Sequence, residues 1–117
     1  MNLFIQRECK LSKTSYFVYI WEYIVKKAYL NDFKNNYGSS GSWVTFFKKS
    51  EYYVKTELLI DKQNSLKFMT IDYWKSKEKY LEFININKSE YDILDQDCNN
   101  YTSKEVRIGE FYLVKDE

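Results

Sequence analysis

The stretch that decides the fold spans residues 66–83 and reads LKFMTIDYWKSKEKYLEF. Its first half is rich in apolar and β-branched side chains as far as Trp74, a composition typical of a buried strand. Ser76 is a suitable helix N-cap, because its hydroxyl can accept a hydrogen bond from a free backbone N–H of the first turn. Tyr80 and Ile84 then recur at helical spacing on one apolar face. The stretch predicts a strand, a turn and an amphipathic helix, with Trp74 at the end of the sheet on the wall of any pocket there.

An earlier segment, residues 16–25, carries the strongest strand pattern in the chain, YFVYIWEYIV. Apolar side chains occupy both alternating sets of this segment, which predicts a central strand covered on both faces. Glu22 is its one charged residue. The other predicted elements are, in chain order, a helix over residues 26–37 that ends at Gly38, a helical turn after Ser42, a strand over 51–60, a helix that follows residue 89 and a strand over 105–114 with a bulge or close approach at Gly109.

These elements follow the order βαββααβ, which is typical of an α+β, ferredoxin-like fold with one antiparallel sheet and helices on one face. The first and third strands are expected to be central neighbours that run parallel. Since the central strands are apolar on both faces, the face without helices needs a cover, because such an exposed apolar patch is uncommon on a monomer. We therefore expect a homodimer packed sheet on sheet. Residues 1–15 are expected to form an N-terminal arm, and residues 16–117 a single domain.

The composition excludes several classes of site. The 117 residues include no histidine, which rules out a Ser-His-Asp or Cys-His mechanism and an imidazole-ligated haem. The net charge of +1 creates no large field that would favour nucleic acid or an acidic membrane. No apolar run reaches the ~20 residues that a membrane helix needs. Cys9 and Cys98 have neither metal-site nor disulfide spacing, so we expect free thiols and a cytoplasmic location.

Aromatic residues make up 20% of the chain, with 12 tyrosines and 3 tryptophans. Such side chains combine large buried areas with polar tips. Two interpretations remain open: the rings fill a core and a subunit interface, or they line a pocket for a flat ligand.

Several segments together resemble one known family. They are, in chain order, YIWEYIVK, GSWVTFF, YYVKTELL, TIDYWKSKEKYLEF, EYDILD and EVRIGEF. Over residues 16–114 this combination resembles the antibiotic biosynthesis monooxygenases of the dimeric α/β-barrel superfamily. The resemblance implies a dimeric α/β barrel and a small, largely apolar pocket between the sheet and the helices. Some members oxidise polycyclic phenols with dioxygen and without metal or flavin, so no cofactor is expected.

A haem-degrading branch of that family uses a Trp at the end of the third strand, an Asn on the first strand and a His on a helix. Trp74 matches that Trp, whereas Trp21 stands where the Asn would be. The chain has no histidine to ligate haem. Haem degradation of that type is therefore not expected.

Two functions remain as hypotheses. The first is a cofactor-independent monooxygenase acting on a small aromatic or quinol-like compound, which would need a dry aromatic pocket and an acid–base group. The candidate catalytic residues are Trp74, Tyr23, Glu57 and Asp72, with Glu22 as a further candidate proton acceptor. The candidate substrate-binding residues are Tyr19, Trp21, Phe33, Trp43, Phe47, Phe83 and Tyr91. The second function is a non-catalytic homodimer that binds a small hydrophobic ligand or merely assembles, as expected if the tryptophans fill the cavity themselves.

Overall fold

The computed structural model describes residues 15–114. Its strands are β1 (Phe17–Val25), β2 (Tyr53–Ile60), β3 (Lys67–Trp74) and β4 (Thr102–Tyr112). Its helices are α1 (Leu30–Tyr37), α2 (Ser42–Phe47), α3 (Lys77–Ile86) and α4 (Lys88–Cys98), with short 3-10 turns at Lys27–Tyr29 and Asn99–Tyr101. The predicted element order is confirmed, and α2 is the helical turn expected after Ser42. The predicted arm lies outside the described residues except for Ser15, so the arm and the domain boundary stay predictions.

The sheet has the strand order β2-β3-β1-β4, and every neighbouring pair is antiparallel. β1 and β3 are central neighbours as predicted, but the prediction that they run parallel is wrong. The helices between β1 and β2 return the chain to the end of the sheet where β1 begins, so β2 runs in the direction of β1. The hairpin that follows reverses the chain, which sets β3 antiparallel to β1.

The junction between β3 and α3 forms as the sequence predicts. The Ser76 hydroxyl accepts a hydrogen bond from the backbone N–H of Lys79 at 3.2 Å and so caps the helix. This cap satisfies one of the free N–H groups of the first turn. The cap stands two residues after Trp74, so α3 begins at Lys77, close to the end of the sheet.

The predicted irregularity at Gly109 is also confirmed. The register of β4 against β1 shifts between Arg107 and Gly109, so Ile108 is an extra residue in a β-bulge. A Cβ atom at position 109 would lie 2.9 Å from Cζ of Phe111, which is too close for a relaxed contact. The bulge lies beside Trp21 of β1, and bulges of this kind are common next to functional sites.

The helices cover one face of the sheet and form two aromatic clusters with it. The Trp74 cluster consists of Phe17, Val44, Phe46, Phe47, Tyr53, Trp74 and Phe83. The Phe33 cluster consists of Tyr23, Val25, Phe33, Tyr37, Phe68 and Cys98. Each cluster combines alternate strand residues with helix residues, so the core is aromatic at both ends of the sheet.

The opposite face of the sheet, here called the open face, has no helix of residues 15–114 packed on it. The strand registers place one alternating set of mainly apolar side chains there. The apolar members are Val18, Ile20, Ile24, Leu59, Met69, Ile71, Val106 and Phe111. Leu59 is 45% exposed and Phe111 is 46% exposed, so part of this face meets solvent.

Candidate functional site

A cavity of about 290 Å³ lies between the sheet and the helices. Its walls are mostly aromatic and are formed by Trp21, Tyr23, Tyr37, Trp43, Phe47, Tyr80 and Tyr91. Its polar lining consists of Thr56, Thr70, Asp72, Asp95 and Glu105. Ligand pockets usually measure about 300–1,000 Å³, so this cavity fits a small molecule.

The cavity lies between the two aromatic clusters, which support its walls from both sides. Phe47 belongs to the Trp74 cluster, Tyr23 and Tyr37 belong to the Phe33 cluster, and Trp43 packs against both. The ring centroids of Tyr23 and Tyr37 are 5.2 Å apart, those of Tyr37 and Trp43 6.2 Å, and those of Trp43 and Phe47 5.8 Å. These are ordinary packing distances for aromatic pairs. The rings therefore form one connected wall.

Asp72 is the least exposed of the three carboxylates that line the cavity. It lies in β3 directly opposite Thr56 of β2, and Thr56 Oγ1 donates a hydrogen bond of 2.6 Å to its Oδ1. The Tyr53 hydroxyl donates in turn to Thr56 Oγ1 at 2.8 Å. Burial raises the pKa of Asp72 to about 6, and the hydrogen bond from Thr56 opposes part of that rise. A carboxylate with such a pKa is ionised at neutral pH and suited to accept a proton from a bound ligand.

Two further carboxylates, Asp95 of α4 and Glu105 of β4, lie at the exposed mouth of the cavity. Burial, and then the negative charge of Asp95, raises the pKa of Glu105. In the described part of the chain, neither these two carboxylates nor Asp72 forms an ion pair with a Lys or Arg side chain. The cavity therefore carries an excess of negative charge.

The tyrosines of the wall remain neutral at physiological pH. Burial is the main cause that raises the pKa of Tyr23, Tyr37 and Tyr80 well above the ordinary value for a phenol, and that of Tyr91 to about 12. Their hydroxyls can donate hydrogen bonds to a ligand but do not act as bases at neutral pH. The pKa of Asp72 is suited to proton transfer near neutrality.

The structure brings six of the predicted site residues together on the cavity wall. They are Tyr23, Asp72, Trp21, Trp43, Phe47 and Tyr91. The roles assigned to them stay predictions, because their positions alone do not define what they bind. Five predicted residues, Trp74, Glu57, Tyr19, Phe33 and Phe83, are not among the residues that line this cavity.

Trp74 departs most clearly from the sequence prediction, which placed it on the pocket wall. Its side chain is completely buried in the Trp74 cluster, with rings of Phe47, Tyr53, Tyr80 and Phe83 at centroid distances of 5.0–5.7 Å. Tyr80 and Phe83 of α3 cover Trp74 at the end of β3. No hydrogen-bond partner for its Nε1 atom is found in the described residues.

The other four predicted residues do not line the cavity for three different reasons. Phe33 and Phe83 are core members of the aromatic clusters, so they stand behind the wall rather than on it. Tyr19 packs against Trp21 and Tyr80 with centroids 5.6 Å away in both cases. Glu57 points to the open face, where the Tyr73 hydroxyl donates to its Oε1 at 2.8 Å.

Glu22 likewise belongs to the open face of β1. It lies 3.6 Å from the ammonium of Lys67 and does not line the cavity. Strand alternation places it on the face opposite Trp21 and Tyr23. The cavity thus leaves Asp72 as the one sequence-predicted acid on its wall.

The sequence prediction missed several lining residues, namely Tyr37, Thr56, Thr70, Tyr80, Asp95 and Glu105. Two spacings could have identified some of them. Thr70 stands two residues before Asp72 on a strand and therefore on the same face. Asp95 stands four residues after Tyr91 on a helix and therefore on the same side. Glu105 comes into the site only through the pairing of β4 with β1, which local sequence does not reveal.

Among residues 15–114, no group of three or more His, Cys, Asp or Glu side chains is arranged to hold a metal ion. No described helix combines the length and apolar character required to cross a membrane.

Known proteins resemble this chain in fold but not in sequence. No protein-family model matches the sequence. No curated protein matches it either. Among solved structures, a variant of SnoaB, a cofactor-independent oxygenase from Streptomyces nogalater, superposes with a TM-score of 0.71 at 12% identity, over 86% of this chain and 95% of that protein.

Two further structures give similar values. A protein of Bordetella bronchiseptica provisionally named an antibiotic biosynthesis monooxygenase has a TM-score of 0.68 at 8% identity, over 87% of this chain and 100% of that protein. A conserved protein of Methanosarcina mazei has a TM-score of 0.61 at 17% identity, over 88% and 96%. The predicted α+β, ferredoxin-like fold is therefore confirmed as the fold of these proteins. At such low identities the likeness concerns the fold alone.

Proposed function

We propose that this chain is a monooxygenase that uses neither metal nor flavin and acts on a small aromatic or quinol-like compound bound in the cavity. The observation that carries the proposal is the Asp72 carboxylate, with its raised pKa, set into an aromatic wall. The fold shared with SnoaB adds support, because that protein is described as a cofactor-independent oxygenase.

The proposed chemistry takes its electrons from the substrate. Asp72 accepts a proton from an acidic CH₂ group that is conjugated with a carbonyl, or from the hydroxyl of the phenolic tautomer of such a compound, and the electron-rich anion that forms reduces dioxygen. Oxygen adds to the carbon of that CH₂ group, and the proton held by Asp72 returns to give a hydroperoxide. Its O–O bond then breaks with loss of water to leave a carbonyl. A CH₂ group and O₂ thus become C=O and H₂O, with no external reductant. The aromatic wall would exclude water and hold the flat anion in place.

Anthrone is a suitable test substrate, because its CH₂ group is acidified by the ketone and two fused rings and its oxidation product is anthraquinone. Oxygen uptake should rise with enzyme concentration, and mass spectrometry after reaction in ¹⁸O₂ should find one labelled oxygen in the product. Asp72→Asn keeps the shape of the side chain and an acceptor for Thr56 but removes the base. It should lower the rate by about 100-fold or more, the usual contribution of a general base.

The matched control is Asp92→Asn. Asp92 lies on the outer surface of α4, where it pairs with Lys88 at 3.1 Å, and it does not line the cavity. This variant should retain the full rate. Uptake that is equal in Asp72→Asn and the unmodified chain would refute the assigned role of Asp72.

A second candidate function is a non-catalytic module that binds a small hydrophobic ligand. The aromatic wall favours it as well, since seven rings can bury a flat molecule without any chemistry. Stoichiometric binding of anthrone without oxygen uptake would select this function over the first.

We further propose that the chain forms a homodimer through the open face of the sheet. Ile20 and Ile71 are paired at the centre of that face, with Leu59 and Phe111 toward its edges and substantially exposed. A second copy of the same surface would cover these side chains from water. Light scattering should then give twice the 14.3 kDa chain mass, and Ile71→Glu should shift the protein toward the monomer. A monomeric unmodified chain at micromolar concentration would contradict this assembly.

A further inference from the structure

The charged groups that residues 15–114 bring to the cavity are all acidic. Asp72, Asp95 and Glu105 line it, and no Lys or Arg of that range does. Arg107, which follows Glu105 by two residues on the same face of β4, is already paired with Glu110 at 3.1 Å. Three carboxylates thus share one small space without a cation from the described chain, which disfavours a further negative charge in that space.

The Asp72 carboxylate is only half satisfied. Its Oδ1 accepts the hydrogen bond from Thr56, whereas no hydrogen bond to its Oδ2 is found in the described part of the chain. A carboxylate oxygen of this kind can accept further hydrogen bonds. Because Asp72 lines the cavity, a ligand with a donor group, such as a hydroxyl or an ammonium, would supply a donor to this carboxylate.

The aromatic rings favour the same type of ligand. The faces of Trp and Tyr rings attract cations, with Trp the strongest of the side chains. Trp21, Trp43 and Tyr91 lie on the wall that also carries the carboxylates. A pocket that combines ring faces with unpaired carboxylates is suited to an organic cation and unsuited to an organic anion.

We infer that the cavity selects a flat aromatic compound that carries a protonated amine, in preference to a neutral or carboxylated compound of the same shape. This inference rests on the proposed function in that it names the substrate class of the same cavity. The ammonium would lie at the mouth between Asp95 and Glu105, and the ring between Trp21 and Trp43.

Three probes with one naphthalene ring test the inference: 1-naphthylmethylamine, 1-naphthylmethanol and 1-naphthoate. Calorimetric titration of the full chain at pH 7.5 should give the tightest binding for the amine, by about tenfold over the alcohol, and the weakest for the carboxylate. Raising the salt concentration should weaken the binding of the amine but not that of the alcohol. The inference is overturned if the alcohol or the carboxylate binds as tightly as the amine, or if none of the three binds.

The double variant Asp95→Asn/Glu105→Gln identifies the groups responsible. It should bring the affinity for the amine close to that for the alcohol. The affinity for the alcohol should not change, because both replacements keep the shape of the side chain. Asp92→Asn, which lies outside the cavity, should keep the full preference. A double variant that still prefers the amine tenfold would contradict the roles of Asp95 and Glu105.

These results separate this inference from the proposed function. A preference for the amine without oxygen uptake on anthrone or on its amino derivatives would remove the oxygenase proposal and leave the ligand class standing. Oxygen uptake that is faster with a carboxylated than with an aminated anthrone would keep the oxygenase and overturn the ligand class.

Discussion

Trp74 and Trp21 lie on neighbouring strands and on the same face of the sheet, yet their surroundings differ completely. The side chain of Trp74 has no exposed surface, and aromatic rings of the Trp74 cluster surround it at the end of β3. Trp21 is partly exposed, pairs with Thr70 in the middle of the sheet and faces the cavity. The two clusters close the ends of the sheet and leave its middle open. Position along the strand, rather than residue type, therefore decides whether a tryptophan belongs to the core or to the cavity wall.

The largest expected difference is in stability. Trp74→Ala should lower the free energy of unfolding by about 3–5 kcal/mol, because it leaves a large cavity in a closely packed cluster. Trp21→Ala should cost much less, since one side of that ring already faces open space, but it should weaken ligand binding. Urea unfolding of both variants measures the difference. Equal losses in the two variants would show that the middle of the sheet is packed as tightly as its end.

The second prediction concerns the charge that the open cavity contains. Folding raises the pKa of Asp72 from 3.8 to about 6, so the folded chain holds more protons than the unfolded chain between these values. Stability therefore falls as the pH rises from about 4 to about 6 and stays level above that range. The difference corresponds to at most about 3 kcal/mol. Asp72→Asn should recover part of it at pH 7.5 and none at pH 3.5.

The surface variant Asp92→Asn again provides the control, since it keeps Asp72 and should not show the gain in stability at pH 7.5 that Asp72→Asn gives. Thermal unfolding at the two pH values is sufficient for the measurement. A stabilisation by Asp72→Asn of the same size at both pH values would mean that the cavity does not penalise the charge.

The sequence predicted the strands and helices well, but it predicted less about the cavity between them. Trp74, Trp21 and Trp43 all have the spacing typical of core residues. The local sequence does not indicate how far α2 and α3 lie from each other, and so does not indicate which of these tryptophans lines the cavity. The element order, the Ser76 cap and the Gly109 bulge could be predicted because each depends on neighbours in the chain. The direction of β3 and the arrival of Glu105 at the cavity could not, since both depend on how distant segments pair.

The third prediction sharpens the role of the strand pair beneath the cavity. Thr56→Val removes the hydrogen bond that favours the ionised form of Asp72, so the pKa of Asp72 should rise further, by about one pH unit. The pH at which oxygen uptake reaches half its maximum should rise with it. Thr45→Val, which removes a hydroxyl that donates to the Gly41 carbonyl oxygen on α2, should leave that pH unchanged. An unchanged midpoint in Thr56→Val would show that the Thr56 hydrogen bond does not influence the group that titrates.

The smallest effect is expected at the boundary between the Phe33 cluster and the cavity. The Tyr23 hydroxyl and Thr70 Oγ1 form a buried hydrogen bond of 3.2 Å. Tyr23→Phe keeps the packed ring and removes this bond, so stability should fall by about 1 kcal/mol. Tyr29→Phe alters a less buried ring, whose centroid lies 5.6 Å from that of Tyr101, and should change stability less. A tenfold or greater fall in oxygen uptake without loss of stability would instead give the Tyr23 hydroxyl a direct role with substrate.

The proposed function depends most on Asp72 being a carboxylate of raised pKa in an open cavity. Carbon-13 NMR of the chain labelled at aspartate carboxyl carbons, with the signal assigned by its absence in Asp72→Asn, measures this pKa directly. We predict a midpoint near pH 6 and a change in that midpoint when an aromatic ligand is added. A midpoint near 4, unaffected by any aromatic ligand, would contradict the account.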